Sequence, residues 1–360
     1  MNGRDNNWPN SHELALQELV HYGQKVVPEL IQQLEKRYTI LRSIYFAQPI
    51  GRRVLAANLR MGERIVRNET DFLRTQGLVE AQPGGMVITP EGEEVIFGLE
   101  QLIRLLKGLT SLEEELASRL GLHKVIVVSG DLDQDRQVLK EMGRAGANFL
   151  QEIIHKDKIE TIAVTGGTST LSVVESLPEI SPGRSILVVP ARGGFGTEMR
   201  TQANAIAALL AGKLGGEYRL FHVPDALSPQ ARLALLEEPH IQEMLRLMTQ
   251  AQLVIHGIGD AVEMAKRRHL PQVEISWLMR HGAVGEALGS YVDKDGKVVL
   301  SARNIGLNLQ ELPPASTLAV AGGKHKAQAI LAVAATGVLK YLVTDEGAAQ
   351  AMLETLRKKN

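Results

Sequence analysis

At 360 residues, 44% of them hydrophobic, the chain is long enough for two domains with ordinary cores. It has no cysteine, which excludes disulfides, Cys-based metal sites and thiol nucleophiles, and its formal net charge of −1 points to no partner until the charge is mapped along the chain. No apolar run nears the roughly 20 residues of a membrane span, and Met1–Ser11 lacks the apolar core of a secretory signal, so a cytoplasmic protein with no membrane partner is expected.

Residues 1–20 are expected to be a flexible N-terminal segment, and 21–90 a first domain. Val26, Val27, Leu30, Ile31, Leu34, Tyr38, Leu41 and Ile44 recur at helical spacing, which predicts an amphipathic helix over Lys25–Phe46. Pro49-Ile50-Gly51 ends it. Arg52–Leu59 reads as a second helix, Arg60-Met61-Gly62 as a tight turn and Glu63–Gln76 as a third helix, with Leu55, Leu59, Ile65, Val66, Phe72 and Leu73 turned toward the first. That is the spacing of a helix-turn-helix. Leu78–Ala81 and Met86–Thr89 flank Pro83-Gly84-Gly85, as the strands of a β-hairpin wing would.

Charge sharpens this reading. Lys36 to Arg74 carries nine basic and three acidic residues, a local +6 in a nearly neutral chain. Arg64, Arg67, Asn68 and Asp71 form a stripe opposite the apolar face of the third helix. Arg matches the guanine edge and Asn the adenine edge in the major groove. Arg52 and Arg53 belong to the same cluster, Arg52 as a phosphate contact. One basic helix alone is more often a solvated face. Turn, wing and charge together make double-stranded DNA the expected partner.

Residues 91–120 are expected to be linker helices. Leu99, Leu102, Leu106 and Leu109 are spaced 3-4-3, the pattern of a coiled-coil seam, which favours a dimer contact over packing against the chain's own second domain. A homodimer fits paired half-sites on DNA.

From 121 to 360, apolar runs alternate with helical stretches, which predicts an α/β domain with a mainly parallel sheet. The expected strands are Val125–Val128, Ile162–Val164, Ile186–Val189, Tyr218–Val223, Leu253–Ile255, Leu318–Ala321 and Tyr341–Val343. The helices among them include Asp135–Ile154, a helix running to Ser176, and Thr197–Leu214. Asp293–Gly296 reads as a hairpin turn. Three times a strand ends in glycines and opens a helix, at Gly166-Gly167, Gly257–Gly259 and Gly322-Gly323. A Gly-Gly pair is commonly only a turn. It also lets a backbone approach a ligand where the next helix offers free N–H groups, which favour phosphate. Ligands of open α/β sheets bind beyond the carboxyl ends of the strands. Thr168, Ser169, Arg192 and Lys326 stand at those ends, and Arg267 and Arg268 one short helix beyond Asp260. That set suits a phosphorylated anion.

No nucleophile, metal-ligand spacing or cofactor motif stands out, so no metal or cofactor and no catalytic residue is expected. The carboxylates that an isomerase or deaminase would need are Asp345 and Glu346 after a strand, and Glu286 in a small-residue stretch that reads as helical.

Pro49–Arg53, Val128–Asp131, Lys140–Ala145, Val164–Thr168, Val189–Gly194, Val254–Gly259 and Val343–Ala349 together resemble the SorC family of transcriptional regulators over nearly the whole chain after about residue 20. The resemblance implies a winged helix-turn-helix domain and a larger effector domain similar in fold to sugar-phosphate isomerases and deaminases. It implies repression of a glycolytic operon, induction by fructose 1,6-bisphosphate, and a homodimer or homotetramer. It also implies effector contacts at Gly166, Gly167, Thr168, Ser169, Arg192, Gln202, Arg267, Glu286 and Lys326, with the Gly166-Gly167 backbone on one phosphate and Arg267 and Lys326 on the other. The chain departs from the family pattern at Ser169 (Thr), Gly62 (Ser) and Lys324-His325 (small polar residues).

Overall fold

The computed structural model describes residues 22–358 apart from 24, 181–184, 195–197, 225–226, 303, 311 and 313–315. The segment expected over residues 1–20 lies outside the described residues. The chain divides into two compact units, one ending at Thr110 and the other beginning at Ser111.

The first unit contains α1 (Pro28–Ala47), α2 (Arg52–Leu59), α3 (Glu63–Thr75), β1 (Val79–Gln82), β2 (Gly85–Ile88) and α4 (Pro90–Leu106). Proline in the first turn of α1 suits a helix start, because its missing N–H has no intrahelical acceptor there. Ile40 and Ile44 of α1, Leu55 of α2, Val66 and Leu73 of α3, and Ile96 and Ile103 of α4 form one core. Leu106 is buried in that core, and Leu99 and Leu102 pack against it half-buried. Two residues expected to face α1 lie outside the core it forms: Ile65 is 48% exposed, and Phe72, 38% exposed, meets α1 at the rim under the Arg37 guanidinium. The face that α3 buries is Val66, Glu69, Thr70 and Leu73, at i, i+3, i+4 and i+7, and Ile65 and Phe72 each precede it by one residue. The hairpin is antiparallel, from Val79 opposite Ile88 to Gln82 opposite Gly85. Both strands are displaced one residue toward the turn from their expected bounds. Thr89, read as strand, instead caps α4, its hydroxyl accepting from Gly92 N–H at 3.0 Å.

The second unit has a seven-stranded, all-parallel sheet in the order β3-β13-β12-β7-β4-β5-β6. The elements are α5 (Leu109–Leu120), β3 (Lys124–Val128), α6 (Val138–Lys156), β4 (Thr161–Val164), α7 (Thr168–Ser176), β5 (Leu187–Pro190), α8 (Ala203–Leu214), β6 (Glu217–Tyr218), α9 (Pro229–Glu237), α10 (Pro239–Thr249) and β7 (Leu253–Gly257). After them come β8 (Gly259–Asp260), α11 (Ala261–Arg267), α12 (Gln272–Arg280), β9 (Ala283–Ala287), β10 (Ser290–Asp293), β11 (Val298–Ser301), β12 (Ser316–Val320), α13 (Ala327–Ala335), β13 (Tyr341–Asp345) and α14 (Glu346–Arg357). Apolar residues of α6, α7 and α8 bury one face of the sheet in a single cluster with Ile162, Val164, Leu253, Ile255 and Leu318. Strands β8 to β11 form a separate antiparallel sheet between β7 and β12 in sequence.

Four expectations change here. Glu286 lies on strand β9, not a helix. The small residues around it let β9 approach α13 so closely that a Cβ on Gly285 would meet Ala329 O at 2.9 Å. The strand expected over Tyr218–Val223 stops at Tyr218, because Phe221 exchanges both backbone hydrogen bonds with the Asn204 side chain, at 2.8 and 3.0 Å. The helix expected from Asp135 starts at Val138, since Gln137 N–H donates to the Asp135 side chain in a local turn. The helix expected from Thr197 starts at Ala203 after a short 3-10 turn, Met199–Thr201, and Thr197 itself lies outside the described residues.

Strand order reverses beside β4. After β4 the sheet grows through β5 to β6, and after β7 it grows the other way through β12 to β13. The chain therefore leaves β4 and β7 in opposite directions, which opens a crevice at their carboxyl ends.

Candidate functional site

On the first unit, Arg64, Arg67 and Asn68 are exposed on the face of α3 opposite its buried one. Arg53 is open, its side chain 89% exposed and 3.7 Å from Glu63. Arg52 is tethered, its guanidinium 2.5 Å from Asp71, which also lies 3.6 Å from Arg74. The stripe read from the sequence is therefore present, with Asp71 turned to arginines rather than open.

On the second unit, a cavity of about 430 Å³ occupies the crevice beyond β4 and β7. Eight of the nine expected effector residues line it: Gly166, Gly167, Thr168, Ser169, Arg192, Arg267, Glu286 and Lys326. Gln202 does not; it precedes α8, and its backbone sits behind Gly166. The loop after β4 is fixed from behind. A Cβ on Gly166 would stand 2.5 Å from Thr201 O, and Gly167, with φ +124, donates its N–H to the same oxygen at 2.9 Å. That corrects one expectation: the Gly167 amide is engaged and cannot serve an anion. The groups left without an intrahelical acceptor are the N–H groups of Thr168, Ser169 and Thr170 at the start of α7, where no side chain caps the helix. Thr165 and Thr170 also line the cavity, and their buried hydroxyls have no hydrogen-bond partner among the described residues.

Cations enclose the rest. Arg192 is 5% exposed at the end of β5, and Arg267 is exposed at the end of α11. Lys326 is half-buried, and burial, aided by Arg267, pushes its pKa down against the pull of Glu263, Asp133 and Asp345. Arg268 and Glu286 form a buried ion pair at 2.6 Å, with side chains 3% and 5% exposed. Glu286 also accepts from Gly289 N–H at 2.7 Å, so it closes the wall rather than offering a free carboxylate. The signal missed in the sequence was the pairing of Arg268 with Glu286, 18 positions apart and on different elements.

The other acid–base candidates are structural. Asp345 is fully buried and accepts N–H bonds from Leu132, Gly323 and Ala348. Burial pushes its pKa up, and those three bonds oppose the rise. Glu346 accepts from Gly130 N–H at 3.1 Å. Each carboxylate ties loops to α14, and neither lines the cavity, whose carboxylates are Glu198, Glu263 and Glu286.

Residues 33–103 match the family model described as "CggR N-terminal DNA binding domain", and residues 105–354 the one described as "Putative sugar-binding domain". The Central glycolytic genes regulator of Priestia megaterium is 42% identical over 94% of this chain and 99% of its own length. The protein of the same name from Bacillus subtilis is 41% identical over the same shares. The solved structure of a "putative SorC family transcriptional regulator" from Enterococcus faecalis is 40% identical, covers 68% of this chain and 99% of its own, and superposes with a TM-score of 0.62. Fold and site thus define a sugar-sensing transcriptional regulator with a DNA-binding domain, not an enzyme. The chain belongs to the SorC family.

Proposed function

We propose that this regulator is a cytoplasmic repressor of glycolytic genes that leaves its operator when fructose 1,6-bisphosphate fills the cavity. The observation that carries the reading is the uncapped start of α7 facing the same cavity as Arg192, Arg267 and Lys326. A bisphosphate needs two anion sites a sugar's length apart. The N–H groups of Thr168–Thr170 and the hydroxyls of Thr168 and Ser169 supply one. Arg267 and Lys326 supply the other, with Arg192 as buried countercharge, because a phosphate leaves water only where charge-assisted bonds replace its hydration. Relatives named for central glycolytic genes support the choice of sugar. A homodimer or homotetramer suits paired half-sites on double-stranded DNA. The effector shifts the equilibrium because it binds the DNA-competent and DNA-incompetent states unequally.

A thermal-shift panel of glycolytic intermediates tests this. Fructose 1,6-bisphosphate should raise the melting temperature with a logarithmic dependence on concentration above its Kd. A panel in which monophosphates stabilise equally, or none stabilises, rejects the effector.

A further inference from the structure

We infer that Glu69 is a positioning residue for operator reading, setting the angle of α3 by gathering Gln33, Lys36 and Arg37 of α1 around one buried carboxylate. The inference rests on the reading of α3 as the recognition helix. Glu69 is 9% exposed, on the buried face of α3 between Val66 and Leu73. Gln33 Nε2 lies 2.9 Å from both carboxylate oxygens, Lys36 Nζ 2.8 Å from one and Arg37 Nε 2.9 Å from the other. The Arg37 guanidinium also stands 3.6 Å over the ring of Phe72, one helical turn further along α3. Two successive turns of α3 are therefore held to α1, one at Glu69 by three residues and the next at Phe72 by Arg37. Burial alone would raise the carboxyl pKa, but the bonds from Lys36, Gln33 and Arg37 hold it at about 2. It stays ionised at neutral pH.

Two consequences follow from this geometry. Lys36 and Arg37 count toward the local +6, yet they face a carboxylate and are only 32% and 33% exposed, so they are not phosphate contacts. Arg64, Arg67 and Asn68 leave α3 from the side opposite Glu69, so any rotation of the helix about the clamp displaces them directly. Bidentate reading of a base edge tolerates little displacement, whereas an arginine reaching a phosphate adjusts its rotamers. Loss of the clamp should therefore lower specificity more than general affinity.

The test uses the full-length protein, a duplex it selects from a random-sequence library, and an unselected duplex. Glu69→Gln keeps the volume and removes the charge. It should weaken the selected duplex at least tenfold and the unselected one less than twofold. Arg37→Gln should do the same, and the double variant should add little, as expected of residues acting as one unit. Lys36→Gln should leave the slope of log affinity against log salt unchanged. Circular dichroism checks folding; if Glu69→Gln melts below the assay temperature, Arg37→Gln carries the test, since its side chain lies at the rim. Equal losses on both duplexes, or none, overturn the inference, as does a salt slope lowered by about 0.9 in Lys36→Gln. Arg67→Ala separates the two readings: wild-type affinity for the selected duplex in that variant removes α3 as the reading helix and the inference with it. A loss there, with none in Glu69→Gln, removes the inference alone.

Discussion

Gly166→Ala should remove most of the effector response without touching the DNA-binding unit. The added Cβ would stand 2.5 Å from Thr201 O and 3.2 Å from Ala203 N. An ordinary carbon–oxygen contact is about 3.3 Å, so loop and turn must separate by roughly 0.8 Å. Both partners are backbone, and no side-chain rotation relieves the clash. Overpacking of this kind costs about 1–3 kcal/mol, and the separation also strains the Gly167 N–H bond to Thr201 O, worth about 1 kcal/mol. The displaced element is the start of α7, whose N–H groups are the proposed anion site. We expect effector affinity to fall about 10- to 100-fold, with a lower melting temperature for the second unit and an unchanged affinity for DNA. Gly167→Ala is the companion variant: nothing lies within 4 Å of its Cβ, but φ +124 costs about 1–3 kcal/mol by strain alone. Isothermal titration of fructose 1,6-bisphosphate into both variants measures the effect. Wild-type affinity in Gly166→Ala would show that the loop does not hold the ligand.

Arg67→Ala should weaken the selected duplex by about 1–3 kcal/mol if it reads a base, while Arg52→Ala should lower the salt slope by about 0.9 if it reaches a phosphate. An unchanged slope would assign Arg52 to its pair with Asp71, as competition binding at several salt concentrations will tell. The first unit should lose stability in acid through Glu69. Its folded pKa of about 2 lies below the ordinary glutamate value, so its contribution is complete above about pH 4.5 and disappears as pH falls toward 2. The amount is on the order of 2 kcal/mol after allowing for solvent at the rim, and urea titrations of Glu69→Gln against wild type should converge over that range. Asp345→Ala should cost the second unit about 2–4 kcal/mol, because it leaves the buried N–H groups of Leu132, Gly323 and Ala348 without their acceptor; a urea midpoint like that of wild type would contradict this.

The parallel strands were legible because a strand buried on both faces is a continuous apolar run, and the glycines after Val164 and Ile255 marked where the chain turns over the sheet edge. The charged stripe on α3 was legible because helical period alone fixes which residues share a face. Other features depend on contacts remote in sequence. In strand β9 Gly285 permits a close approach to Ala329, and that smallness carries no period of its own. Phe221 and Val223 are as buried as strand residues, but Asn204 replaces the neighbouring strand. Leu102 and Leu106 have the spacing of a seam, and in the first unit that spacing serves the α4 face of its own core. Glu286 lines the cavity in a buried pair with Arg268, and no local pattern joins those two positions.

The central claim is that one cavity couples a bisphosphate to release of DNA. Calorimetry with fructose 1,6-bisphosphate on wild type and Arg267→Ala, with release of the selected duplex followed in parallel, tests it most directly. Among the described residues Arg267 makes no ion pair, so its removal leaves no buried charge behind and the fold should persist. Wild type should bind the sugar and leave the duplex. Arg267→Ala should hold the duplex with unchanged affinity and ignore the sugar. Equal sugar affinity in the two proteins would take Arg267 out of the site, and no binding by wild type would contradict the account itself.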